Sequence, residues 1–286
     1  MSQDKTARLL ISCPDQPGII SAVTNFLFNH NANITDLDQH STDAENGRLF
    51  MRLEFQTPHL DVTKPILCQA FADRVAASYA MDWRIHFSSD KTKTAILVSK
   101  FDHALQELLW RSARDELDTE ISMVISNHED LRNAVESFGI PYHHIPMDNK
   151  KKGEDEILQL LDKQKIDLIV LARYMQILSD DFVANYPNQI INIHHSFLPA
   201  FVGANPYQQA YEKGVKLIGA TSHYVTADLD QGPIIEQAVL RISHKDTAEQ
   251  LKAKGRDIER QVIARAVQWH LEDRIIVDGH KTIVFD

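Results

Sequence analysis

Ala7, Leu9, Ile11 and Cys13 alternate with residues of the opposite face, which predicts a strand, and Pro14-Asp15-Gln16-Pro17-Gly18 ends it. Ile19, Ile20, Val23, Phe26 and Leu27 then fall on one helical stripe that stops at Asn29 to Asn33. Ile34 to Thr42 reads as a half-polar strand. Glu45-Asn46-Gly47 turns the chain, and Leu49, Met51, Leu53 and Phe55 alternate with outward Arg52 and Glu54 to complete a hairpin. Helical spacing returns over Pro65 to Ala80, and Trp83, Ile85 and Phe87 form a further strand.

The order βαββαβ is the ferredoxin-like plan, and polar Ser88-Ser89-Asp90-Lys91 closes it. Strand and helix alternate from there: strand Thr94 to Val98, helix Ala104 to Arg114, strand Ile121 to Ser126, helix Asp130 to Phe138 and short strand Tyr142 to Ile145. Helix Asp155 to Lys163, strand Leu168 to Ala172, helix Asp181 to Tyr186 and strand Ile190 to His194 follow, and Thr247 to Leu271 is a long amphipathic helix. Strands alternating with helices predict an open, mostly parallel sheet, and the unbroken apolar run Leu168 to Ala172 suits a strand covered on both faces. Fold class is therefore α/β in two domains, 1–88 and 89–286. Lys150-Lys151-Lys152 before Glu154-Asp155-Glu156 reads as a solvated loop entering an acidic first turn.

Composition narrows the function. The 286 residues are 43% apolar and 24% charged, an ordinary globular balance. With 30 basic and 40 acidic residues the net charge is −10, which argues against non-specific binding to nucleic acid or an anionic membrane. Both domains share the deficit, with 7 basic and 10 acidic residues in 1–89 and 23 and 30 in 90–286. Cys13 and Cys68 are too few for a disulfide framework or a thiolate zinc site. Leu9-Leu10-Ile11 is too short for a signal-peptide core, and no apolar run approaches the roughly 18 residues of a membrane helix. A cytoplasmic protein handling small molecules is expected.

The loop Pro14 to Ile20, with Asn31-Ala32-Asn33-Ile34, resembles that of ACT domains, small modules that often bind amino acids. A plain turn is the alternative. Gly18, without Cβ at a helix N-terminus, leaves N–H groups open to a ligand carboxylate. The resemblance implies an effector site at Asp15, Gly18, Ile19, Asn33 and Ile34, glycine or methionine as effector, and a homo-oligomer joined through this domain.

In Ile190 to His194 the period of two puts Asn192 and His194 on one face, at the strand end where open α/β sheets bind ligands. On spacing alone a hydrogen-bonded structural pair explains them as well as catalysis does. Three motifs carry the argument further: Asn192-Ile193-His194-His195-Ser196-Phe197-Leu198-Pro199, then Gly219 to Val225, then Asp230-Gln231-Gly232-Pro233-Ile234-Ile235. Together with Leu171 to Ser179 they resemble the folate-dependent formyltransferase and hydrolase family over residues 90 to 286. The resemblance implies Asn192, His194 and Asp230 as catalytic residues, and Met175, Gln176, Ile177, Leu178, Thr226 and Asp228 as the folate pocket. Transferases of this family carry arginine where Gln176 stands, which weakens a cationic contact to the folate, and usually proline where His195 stands; packing behind the site is the expectation for His195. His143, His144 and His223 lack metal-site spacing, and no metal is expected.

Hydrolysis of 10-formyltetrahydrofolate to formate and tetrahydrofolate is the implied activity, balancing one-carbon pools and supplying formate for purine synthesis, with folate as substrate and no cofactor. Formyl transfer to an amine such as glycinamide ribonucleotide is the alternative, and an amino-acid-binding regulator without activity is another. Against transfer, the position of the transformylase phosphate loop reads Val98-Ser99-Lys100-Phe101-Asp102-His103, and no glycine lies between Gly47 and Gly139.

Overall fold

The computed structural model describes residues 5–43, 46–199 and 206–286. Glu45 of the expected turn and residues 200–205, between the first and second motifs, lie outside the described residues. Two compact units emerge, one of Met1–Lys91 with Asp273–Ile276 and Ile283–Asp286, the other of Thr92–Glu272 with Val277–Thr282.

The first unit runs β1 (Thr6–Pro14), α1 (Ile19–Asn29), β2 (Asn33–Ser41), β3 (Arg48–Gln56), α2 (Lys64–Arg74), a 3-10 turn at Ala76–Tyr79, and β4 (Asp82–Phe87). Its sheet has the order β2-β3-β1-β4, with β1 paired antiparallel to both neighbours. The alternating residues Leu9, Ile11, Leu49, Met51, Leu53 and Phe55 bury against Val23, Leu27, Leu67 and Phe71 of the helices. The expected single helix 65–80 breaks at Val75, whose N–H still bonds to Phe71 before the chain tightens and reverses at Ala80 with φ 49°. Arg52, expected to face water, is buried, donating to Asp36 at 2.7 Å and to the Asp273 carbonyl at 3.1 Å. The reason is that this sheet face is covered too: Leu10 and Phe50 pack with Ile276 and Phe285, residues that the sequence placed in the second domain.

The second unit comprises β5 (Thr92–Val98), α3 (His103–Ala113), β6 (Thr119–Ser126), α4 (Arg132–Glu136), β7 (Tyr142–His144), α5 (Lys150–Gln164) and β8 (Leu168–Leu171). After these come α6 (Asp180–Ala184), β9 (Ile190–His194), α7 (Pro206–Lys213), β10 (Leu217–Tyr224), β11 (Ile234–Arg241) and α8 (Ala248–Leu271); the closing hairpin of β12 (Ile275–Asp278) and β13 (Lys281–Val284) gives its Val277–Thr282 part to this unit and the remainder to the first. The seven-stranded sheet has the order β11-β10-β9-β8-β5-β6-β7, parallel from β9 to β7, with β10 and β11 antiparallel. Strand order reverses between β5 and β8, and the crevice beyond their carboxyl ends is where such sheets take ligands.

Lys150 to Lys152 form the first turn of α5 instead of a loop, because the Asn149 side chain caps it by accepting from the Lys152 N–H at 3.1 Å. Asp130 to Phe138 gives only the five-residue α4. Thr247 caps α8 in a reciprocal box with Gln250.

Candidate active site

At that crevice lies a cavity of about 640 Å3. Three sheet segments reach it: Phe101 and His103 after β5, Leu171 to Leu178 after β8, and Asn192 to His195 at the end of β9. Residues 225–227, Leu229 and Asp230 of the loop after β10 add another wall, and Lys252, Arg256 and Glu259 of α8 a further one.

Asn192, His194 and Asp230 meet there. His194 Nδ1 lies 3.2 Å from Asp230 Oδ2, and His194 Nε2 is buried with no hydrogen-bond partner among the described residues. Asp230 sits at φ 56°, an uncommon conformation for a residue with a side chain, which turns its carboxylate back toward β9. Its hydrogen bond with His194 is the main cause that holds this carboxyl far below the usual carboxylate range, against the opposing effect of burial.

His223, weighed from sequence only as a metal ligand, belongs to this centre. Its Nδ1 lies 2.9 Å from the Tyr224 carbonyl, which can only accept, so Nδ1 donates there and Nε2 is the ring nitrogen that can accept. That acceptor meets Asn192 Nδ2 at 3.2 Å, fixing the amide's orientation and leaving its second N–H for a ligand. The pairing of β9 with β10, His223 opposite Asn192, is what brings the two together. The signal in the sequence was the alternation along β10, which puts Thr221 and His223 on one face. His143 and His144 lie on β7, four strands from β9, roughly 19 Å away.

The loop 173–179 is pinned at both ends. Met175 N–H donates to Ser99 Oγ at 3.0 Å, and Ser99 in turn donates to Asn127 at 2.7 Å. Ser179 N–H donates to the buried Glu154 carboxylate at 2.9 Å. Between these anchors Met175 and Ile177 stand more than half exposed at the cavity, as does Leu229 opposite, an apolar rim suited to a flat ring system. Gln176, Leu178 and Thr226 also line the cavity, whereas Asp228 is exposed and does not. The turn that aims Asp230 inward explains this, since it uses the Asp228 carbonyl to accept from Thr226 and Gln231 while the carboxylate faces solvent.

His195 lines the cavity instead of packing behind it. β9 ends at His194, so strand alternation no longer dictates the direction of the next side chain. Burial pushes its imidazole down to about 4, with Arg173 adding to the shift, so it is neutral at pH 7. Arg173, Tyr207, His103 and Glu259, none of them given a role from the sequence, form a buried group on the same cavity.

In the first unit, Gly18 takes φ 96° at the N-terminus of α1, which L side chains rarely adopt. The pairing register sets Asp15, Gly18 and Ile19 beyond the Pro14 end of β1, but Asn33 and Ile34 at the opposite end, opposite Gln56 and Phe55. Eight residues of strand, about 26 Å, separate the two groups within one chain.

A formyl transferase model matches residues 92–267, and an ACT domain model matches residues 7–72. Formyltetrahydrofolate deformylase of Bacillus subtilis is 56% identical over 287 residues, covering 100% of this chain and 95% of the relative. That of Synechocystis sp. is 50% identical, with 99% of each chain covered. The crystal structure of a formyltetrahydrofolate deformylase from Pseudomonas syringae pv. tomato superposes with a TM-score of 0.96 at 48% identity, covering 99% of this chain and 95% of that one. Sequence and fold agree along the whole length, and the chain belongs to the formyltetrahydrofolate deformylase family.

Proposed function

We propose that this chain hydrolyses 10-formyltetrahydrofolate to formate and tetrahydrofolate, with Asn192, His194 and Asp230 as the catalytic residues. The observation that carries the reading is the convergence of those three side chains, from β9 and a loop 36 residues further on, in a cavity rimmed by the exposed Met175 and Ile177. Folate is the substrate, its pterin held by residues 175–178 and Thr226; Asp228 contributes through its carbonyl to the loop's shape.

Water attacks the formyl carbon, and negative charge gathers on the formyl oxygen. The free N–H of Asn192 and the unpartnered Nε2 side of His194 are placed to meet that oxygen and the proton it needs. Asp230, ionised at neutral pH, orients the His194 ring through Nδ1 and stabilises positive charge on it. The attacking water gives up one proton as its oxygen bonds to the formyl carbon, collapse breaks the C–N10 bond, N10 takes up one proton in its place, and the formic acid released ionises to formate.

Water rather than an amine is the acceptor because the loop after β5 offers no glycine cradle for a phosphate: Phe101 lines the cavity and Asp102 precedes α3. Incubating the protein with 10-formyltetrahydrofolate, with and without glycinamide ribonucleotide, tests this. Formate should appear equally in both, and turnover that requires the ribonucleotide refutes it. The first unit supplies regulation in this reading: a small amino acid, glycine or methionine, bound at Gly18 and Ile19, with Asn33 and Ile34 contributed by a second copy in a homo-oligomer. Gly18 at φ 96° and the wide separation of the two residue groups favour a shared site. No helix among the described residues is long and apolar enough to cross a membrane, and a cytoplasmic location fits the reaction.

A further inference from the structure

The cavity has a wall that the proposed hydrolysis does not use. Arg173 is 9% exposed, at φ 64°, with its carbonyl taken by the Ser99 N–H and its guanidinium over the Phe101 ring at 5.1 Å. Among the described residues its one ion-pair partner is Glu259, 3.4 Å from Nη1, and neither Nε nor Nη1 makes a hydrogen bond there. A buried guanidinium with unused N–H groups is costly unless a ligand completes it.

Glu259 cannot do so alone, because its oxygens already accept from His103 Nε2 at 2.7 Å and the Tyr207 hydroxyl at 2.7 Å. Burial works to raise its carboxyl, but the His103 hydrogen bond and Arg173 hold it below the usual range. Tyr207 reaches it by lying against Gly255, where a Cβ would come within 2.1 Å of the phenol ring. Lys252, Arg256 and Glu259 share one face of α8 at i, i+4 and i+7. Neither Lys252 nor Arg256 has a carboxylate at ion-pair distance among the described residues, so of the three cations that line the cavity only Arg173 is paired, and that with Glu259.

We infer that Arg173, Lys252 and Arg256 form a carboxylate-binding subsite beside the hydrolytic centre. A planar carboxylate matches the paired N–H groups of a guanidinium. Resting on the proposed function, two carboxylates can reach it: the formate product, or the glutamyl group of the folate substrate. Neutral His195, its ring 5.2 Å from that of His194 and 6.3 Å from that of Tyr207, stands between this wall and the hydrolytic centre.

The test titrates 13C-formate into the full-length protein, with chloride at matched ionic strength, and follows the formate linewidth. In parallel, KM is measured for 10-formyltetrahydrofolate and for its analogue lacking the glutamyl group. Wild type should bind formate saturably and chloride should not displace it if the product is the ligand. Lys252→Ala with Arg256→Ala, both exposed positions that spare the fold, should weaken binding about tenfold or more, and Arg173→Met should lose it while Arg173→Lys keeps part. If instead these variants raise KM for the glutamylated substrate about tenfold and leave the truncated one unchanged, the subsite holds the substrate's tail. Formate affinity and both KM values equal to wild type in all the variants overturn the subsite. Formate binding is read without turnover, so a wild type that binds formate but releases none from 10-formyltetrahydrofolate sinks the hydrolysis and leaves the subsite standing.

Discussion

Asp230→Asn keeps the shape of the side chain and removes its charge, which isolates the electrostatic part of the proposed mechanism. For a full charge on His194 at the observed 3.2 Å, an effective dielectric constant of about 20 gives a Coulomb energy of about 5 kcal/mol. Both side chains are largely buried, so solvent screening takes little of this. If about half a charge develops on the ring in the transition state, the loss is about 2–3 kcal/mol, or roughly 100-fold in rate. The asparagine amide can also present N–H where an acceptor is needed and turn the imidazole, which takes the effect beyond 100-fold. Single-turnover release of formate from saturating 10-formyltetrahydrofolate measures the chemical step directly, and folate affinity should change little. The sign of the pH dependence follows from a depressed carboxyl: Asp230 is ionised above its ordinary value of about 3.9 and is lost only as pH falls through the lower folded value. Ionisation of this carboxylate should therefore add no pH dependence to the deficit above about pH 5, and the deficit should persist to pH 8. A variant within threefold of wild type, or a deficit that vanishes within that range, refutes the role given to this carboxylate.

Asn192→Ala should slow the chemical step about 100-fold by removing an oxyanion donor, and combined with Asp230→Asn should cost much less than the product of the two effects, which rapid-quench rates would show. His223→Leu should lower kcat at least tenfold with KM nearly unchanged, because the Asn192 amide loses its fixed acceptor; His223→Gln, whose carbonyl can accept in place of Nε2, should recover part, and equal kcat in the two variants counts against the positioning role. Gly18→Val should abolish amino-acid binding in calorimetry while leaving basal hydrolysis intact, and unchanged binding removes Gly18 from the effector site. In the first unit the hydrogen bond to Asp273 raises the His86 imidazole against the pull of burial. That stabilisation is complete below the ordinary imidazole value of about 6.5 and is lost as pH rises through the folded one. The melting temperature gap between wild type and His86→Gln should thus be wider at pH 6 than at pH 9, and a gap independent of pH contradicts the ion pair.

Periodicity alone determined the two-part α/β plan, because burying one face of a strand or helix writes a period of 2 or 3.6 into the chain, as Leu9 to Cys13 and Ile19 to Leu27 do. Motif resemblance was enough to mark Asn192, His194 and Asp230, since their chemistry depends on residue identity at strand ends and turns that recur together. Other features depend on partners remote in sequence. Arg52 looked solvent-facing until residues after α8 covered that side of the sheet, and Asp228, placed in the folate pocket by resemblance, is exposed with its carbonyl tied into the turn that leads to Asp230. His223 acquires its role only from the β9–β10 register, and Arg173 only from Glu259 lying 86 residues ahead in the chain. Local pattern records which face of an element is buried; what that face meets is set by the packing of distant elements, and the electrostatics of this site arise from that packing.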